Sequence, residues 1–154
     1  DMVYTLDRRI YSTDLVTALE KEENVYFVAS PSYSAAGKAV TLEELTKYDF
    51  ILTEKNMSYR KHLDELMASK SLQIRPFLEL GSVEMIRTLV ERGIGISFLP
   101  CYAVKDSIKN GTLVKIDVSE NQIEVWRQLI YHKNKWVSPA MRAMIKLIKE
   151  YEKD

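Results

Sequence analysis

The sequence predicts an α/β fold, three layers deep, with a central mixed, mainly parallel sheet flanked by helices. Three observations carry that expectation. In Gly81–Pro100 (GSVEMIRTLVERGIGISFLP) an amphipathic helix runs directly into a short apolar strand. A strand of that kind is covered on both faces, as in sheets with helices on either side. Strand-like and helix-like segments alternate from Val25 to Leu99 with short connections. At 154 residues, the chain is also long enough to bury a core as one domain.

Within Gly81–Pro100, Ser82 is placed to cap the helix start and Glu84 lies in its first turn, where the helix dipole favours an acid. Val83, Ile86, Leu89 and Val90 recur at helical spacing and form one apolar face. Arg92 suits the last turn, and Gly93 stops the helix by taking a left-handed conformation. Gly95 lets the backbone pass close to a neighbour, and Ile96–Leu99 forms the strand that Pro100 ends.

The other elements follow in order. Met2–Leu6 reads as a strand and Asp7, Arg8 and Arg9 as a charged break. Asp14–Leu19 fits a strand or one helical turn, and Lys21–Asn24 reads as a polar turn. Val25–Ala29 (VYFVA) has the β-branched and aromatic content of a strand, and Ser30–Lys38 reads as a loop. Thr41-Leu-Glu-Glu44 is a capping box, opening a short helix to Lys47. Asp49–Thr53 is a strand and Glu54–Met57 a loop. Ser58 then fits the cap of a helix to about Ser69, with Tyr59, Leu63, Leu66 and Met67 inward. Arg75–Leu80 reads as a strand and Tyr102–Lys109 as a helix ended by Asn110-Gly111. Leu113–Val118 is a strand, Ser119–Gln122 a turn, and Glu124–His132 a longer strand. Ser138-Pro139 opens a last helix by a cap and a proline at its first position; Met141, Met144, Ile145 and Ile148 form its apolar face, with Tyr151 nearby.

Composition narrows the function. The 22 basic and 22 acidic residues cancel, which argues against this chain alone gripping a phosphate backbone. A single cysteine makes no internal disulfide and fits a reducing cytoplasm. No apolar run approaches the roughly 18–20 residues that span a bilayer. Cys101 has no second Cys or nearby His at ligand spacing, so a small buried hydrophobe is its ordinary reading and no metal site is expected. His62 and His132 each neighbour a lysine and read as exposed; Glu22-Glu23 and Glu43-Glu44 read as solvated faces. No nucleophile motif of the G-x-S-x-G kind is present, and Gly93-Ile-Gly95 lies between helix and strand, the reverse of a dinucleotide site. The chain is therefore not expected to be an enzyme or to use a cofactor.

The run S-x-E-x-(apolar)-x-x-L-V-x-x-G-x-G-I-(small)-(apolar)-L-P, met by Ser82, Glu84, Leu89, Val90, Gly93, Gly95, Ile96, Leu99 and Pro100, resembles the effector-binding domain of LysR-type transcriptional regulators. Asp1–Leu6, Gly111-Thr-Leu113-Val114 and Tyr131-His-Lys133 are similar to further strands of that family, so the resemblance covers the whole chain. Ser32-Tyr33-Ser34-Ala35-Ala36 departs from the His-Pro-Leu-Ala-like run common there.

The resemblance implies a periplasmic-binding-protein-like lobe, truncated to subdomain II. Residues 1–6 would be a hinge strand of subdomain I, 7–132 mostly subdomain II, and 138–154 a helix returning to subdomain I. The winged helix-turn-helix would lie outside this chain, whose opening inside MVYTL without Met suggests a piece of a longer protein. It also implies a cytoplasmic, homo-oligomeric regulator with a small effector (a carboxylate, amino acid or other anion) in a cleft between lobes, and DNA bound only through the missing domain. A transport-type solute-binding protein is the alternative.

Ligands of open α/β sheets sit beyond the carboxyl ends of strands, where helix N-termini favour anions. That logic selects Thr53, Asn56, Ser58 and Tyr59, then Ser82, then Pro100 and Tyr102, with Thr5 at the proposed hinge. The ordinary alternatives are helix capping for Ser58 and Ser82 and strand packing for Thr5.

Overall fold

The computed structural model describes residues 1–120 and 123–152. The turn expected at Ser119–Gln122 and the end of the last helix fall partly outside these residues. The chain divides into two compact units, Asn24–Ile123 and the pair of segments Asp1–Glu23 and Glu124–Asp154.

The first of these units is built on a mixed sheet. Strand β3 (Val25–Ala29) runs antiparallel to both β7 (Ser97–Pro100) and β8 (Val114–Lys115). β5 (Ile51–Thr53) and β6 (Leu78–Leu80) pair in parallel. A parallel bridge at Phe50 and Ile96 joins the two sets. There the Ile51 amide donates to the Ile96 carbonyl and the Ile96 amide to the Asp49 carbonyl, both at 2.9 Å. The resulting order is β8-β3-β7-β5-β6, and β4 (Ala39–Val40) pairs in parallel with β9 (Asp117–Val118).

Helices α3 (Val83–Glu91) and α4 (Cys101–Lys109) supply Ile86, Val90 and Val104 to a core that also holds Val28, Ile51, Leu99 and Leu113. Strand residues alternate between faces, so Phe27, Phe50 and Phe98 lie opposite, with ring centroids 4.6 Å apart for Phe27–Phe98 and 6.3 Å for Phe27–Phe50. Helix α1 (Leu42–Leu45) starts with the expected capping box. Every residue of β7 is buried, as the apolar run required. Ser82 caps α3 and Gly93 follows it at φ +74°.

Glu91 fastens α3 to α4. Its carboxylate accepts from the Ser107 hydroxyl at 2.6 Å and the Thr112 hydroxyl at 3.1 Å, and Arg87 sits 3.1 Å away. The Ser107 hydrogen bond, followed by Thr112 and Arg87, outweighs burial and holds the Glu91 carboxyl below its ordinary range. A depressed folded-state pKa contributes stability that is present above the unfolded value and lost as pH falls through the folded one. Glu91→Gln is expected to cost about 1 kcal/mol at neutral pH, and urea unfolding should show that difference vanish in acid below the folded pKa.

The other unit is an antiparallel sheet, β1 (Met2–Asp7), β10 (Val125–His132) and β2 (Leu15–Glu23), in the order β1-β10-β2. Helix α5 (Pro139–Tyr151) opens with Ser138 as its cap and proline in its first turn. None of its residues is fully buried; Met144, Leu147 and Tyr151 are exposed.

Several expectations need correction. Lys21–Asn24 is not a turn. Lys21, Glu22 and Glu23 continue β2 opposite Arg127, Trp126 and Val125, and Glu23 pairs with Arg127 at 2.9 Å. That pairing buries Glu23, so only Glu22 of its acidic pair is exposed. Of the alternatives for Asp14–Leu19, the strand is observed. His62 is buried, because it lies beside Tyr59 and Leu63 on the inward side of helix α2 (Ser58–Ser69). Arg75–Phe77 precede β6 rather than forming it, although the Phe77 amide already donates to the Phe50 carbonyl. Leu113–Val118 is two short strands, because β8 pairs with β3 whereas β9 pairs with β4.

Candidate functional site

The candidate site lies at the carboxyl ends of β7, β5 and β6, which are adjacent and parallel. Each is followed by a helix, so the N-termini of α4, α2 and α3 follow the same edge of the sheet. This is the edge at which open α/β sheets hold ligands. The N-cap of α2 is Met57 and that of α4 is Pro100; neither makes a side-chain capping bond, and neither helix has an acid in its first turn. Both ends keep the positive pole of the helix unneutralised by a local carboxylate. Of the α4 amides, that of Cys101 donates to the Asn24 carbonyl at 2.8 Å.

Thr53 ends β5 with its side chain buried, and Tyr59 is buried in the first turn of α2. Neither the Thr53 Oγ1 nor the Tyr59 hydroxyl completes a hydrogen bond of ordinary geometry. Burial pushes the Tyr59 phenol up to about 12; the Thr53 hydroxyl beside it acts in the opposite direction and Tyr102 adds to the rise. Tyr59 is therefore a neutral phenol at any physiological pH, able to donate to an anion.

The structure brings Thr53, Tyr59 and Tyr102 together. Asn56 is exposed in the loop between β5 and α2, and Tyr102 is 48% exposed at the start of α4. Ser58 is the first helical residue rather than the cap expected of it, because Met57 is the last residue with extended backbone. Ser82 caps α3 by accepting from the Met85 amide at 3.3 Å, the ordinary role weighed for it. Pro100 is buried at the β7–α4 junction. Thr5 lies in the other unit, in β1 opposite Gln128. Among the described residues, no group of His, Cys, Asp and Glu is arranged to hold a metal ion, and no helix is long and apolar enough to cross a membrane.

One residue was missed. Arg60 is 2% exposed, and its guanidinium donates to the Thr53 carbonyl at 2.6 Å. Its spacing to Asp64, one helical turn on, was the available signal.

The family model described as LysR substrate binding domain matches residues 1–153. The chain belongs to that family. Among curated relatives, this LysR domain is 31% identical over 137 residues to the HTH-type transcriptional regulator YeiE of Escherichia coli (strain K12), covering 88% of the chain and 46% of that protein. It is 30% identical over 151 residues to the HTH-type transcriptional regulator YwqM of Bacillus subtilis (strain 168), covering 97% of the chain and 51% of that protein. The chain thus spans about half the length of these relatives. Among solved structures, the fold matches the CcmR regulatory domain of Synechocystis PCC6803 in complex with 2-PG, with TM-score 0.75 at 22% identity over 92% of the chain and 69% of that one. It also matches the effector-binding domain of QuiR in complex with shikimate, with TM-score 0.74 at 18% identity over 97% of the chain and 71% of that one. The periplasmic-binding-protein-like α/β fold expected from the sequence is the fold of these LysR domains.

Proposed function

We propose that this LysR domain is the effector-sensing part of a cytoplasmic, homo-oligomeric transcriptional regulator, and that its effector is a small anion held at the carboxyl ends of β7, β5 and β6. The observation that carries this reading is that two helix N-termini without side-chain caps follow the same sheet edge as a buried hydroxyl pair, Thr53 and Tyr59. Donors of this kind suit a carboxylate or similar oxyanion. Asn56, Ser58, Ser82, Pro100 and Tyr102 would surround it. The ligand-bound relatives support the class, since the QuiR domain holds shikimate, a carboxylate, and the CcmR domain holds 2-PG. In the intact regulator, an effector acts only through its different affinity for two states of the domain, and that difference is passed to the DNA-binding part. The transcriptional regulators among its relatives favour this reading over a transport protein or an enzyme.

A thermal-shift screen against small carboxylates, amino acids and inorganic anions tests the proposal. A ligand at about a hundredfold excess over its dissociation constant should stabilise the chain by about 2.7 kcal/mol. Thr53→Val separates binding from folding. It removes a buried hydroxyl whose polar neighbour is the Tyr59 hydroxyl, so stability is expected to change by no more than about 1 kcal/mol, while affinity falls about tenfold. A large loss of stability in urea unfolding would show that the hydroxyl serves the fold instead.

A further inference from the structure

Arg60 is the largest side chain among those fully buried, and it is a cation. Burying a guanidinium is costly unless its donors are met. Here they are met on two sides. One nitrogen donates to the Thr53 carbonyl at 2.6 Å. Nε lies 3.0 and 3.1 Å from the two oxygens of Asp64, and the remaining nitrogen is 3.5 Å from Glu79. Asp64 is on α2 and Glu79 on β6, so one planar group ties together the end of β5, the body of α2 and the neighbouring strand. Asp64 and Glu79 are more than a third exposed or close to it, at 40% and 35%, and reach the surface beside a pocket of about 530 Å³. The buried end of this arrangement is therefore the Thr53 carbonyl.

Thr53 ends β5 at the candidate site, and its buried hydroxyl lies beside that of Tyr59. Its carbonyl belongs to the last residue of β5, at the point where the chain turns into the loop to α2. With the carbonyl held by a charged donor, the peptide plane is fixed and so is the Thr53 side chain. We infer that Arg60 is a positioning residue of the effector site: it touches no ligand, and acts by holding the Thr53 carbonyl so that the Thr53 and Tyr59 hydroxyls keep their aim. The effect on ligand rests on the effector reading above; the hold on Thr53 does not.

Backbone NMR of the full chain tests both parts. Arg60→Gln should shift the Thr53 carbonyl carbon and speed exchange of the Met57 and Lys61 amides about tenfold or more. Ile96 and Gly93 amides, in the same unit, serve as the reference and should change less. Arg60→Lys restores the positive charge that glutamine lacks and should return part of the Thr53 signal. If Arg60→Gln does not fold, Glu79→Gln and Asp64→Asn loosen the same strut more gently and should move the same signals. Shikimate and sulfate are then titrated as probes, and whichever binds the wild-type chain should bind Arg60→Gln about tenfold more weakly. Unchanged Thr53 signals in the Arg60 variant, or exchange that rises equally at every amide, overturns the inference. So does equal probe affinity in the two proteins. If neither probe nor any anion of the thermal-shift panel binds the wild type while Thr53 and the Met57 amide respond as described, the effector reading fails and the hold on Thr53 stands.

Discussion

Gly95→Ala is expected to lower the unfolding free energy by about 3 kcal/mol, the upper end for overpacking a filled core. A Cβ built on Gly95 lies 2.5 Å from the Asp49 carbonyl oxygen and 3.3 Å from Ile51 Cγ1. The oxygen belongs to backbone and is already engaged by the Ile96 amide at 2.9 Å. Relief must therefore come from parting β5 and β7 at their only bridge among the described residues, and with it the edge where the candidate site lies. Gly81→Ala is the control. Its Cβ meets only the Glu54 side chain, at 3.3 Å, which can swing aside, so a cost within about 0.5 kcal/mol is expected. Urea unfolding of the two variants checks the contrast. Equal costs would mean that the close passage at Gly95 is not what joins the strands.

Arg127→Ala should cost about as much, about 3 kcal/mol, in the other unit. Arg127 lies 2.9 Å from Glu23 and 2.6 Å from Glu152, and the side chains of both acids are nearly closed to solvent, at 4% and 3% exposed. Tyr4 also donates to Glu152, and Lys21 donates to the Glu152 carbonyl at 2.5 Å. Glu152 is the C-cap of α5, so this cluster fastens the helix end to the sheet. Removing the guanidinium leaves two carboxylates with too little positive charge near them, the condition under which breaking a buried pair is most expensive. Adding Glu152→Gln to Arg127→Ala should recover about 1 kcal/mol or more, because residues in one network do not act independently. Additive losses would show that the charges are not coupled.

These two cases also show what could be read in the sequence and what could not. Gly95 was legible because a glycine between a helix stop and an apolar run has few other uses. The surrounding signals agree with it: Ser82 caps, Gly93 takes positive φ, and the strand is buried throughout. Local chemistry fixes such features, so one stretch of chain suffices. Glu23 and Arg127 were not legible, because each is an ordinary surface residue until a strand about a hundred residues away arrives opposite it. The same holds for His62 and Arg60, whose burial depends on what α2 lies against. In the site, strand ends and helix starts were legible from pattern. The burial of the Thr53 and Tyr59 hydroxyls beside each other was not, because it depends on what β5 and α2 pack against. Ser58 misled for a local reason: serine is a good cap, but the helix starts one position earlier than that reading requires and its N-cap is Met57.

A small anion bound where β7, β5 and β6 end would perturb the residues at those strand ends first. The most direct test is backbone and side-chain NMR of the whole chain during titration with the anion that gives the largest thermal shift. Saturable changes are expected at Thr53, Asn56 to Tyr59, Ser82 and Tyr102, with the Tyr59 ring among the largest. Saturable changes confined to residues away from these strand ends, with Thr53 and Tyr59 unmoved, would contradict this binding site.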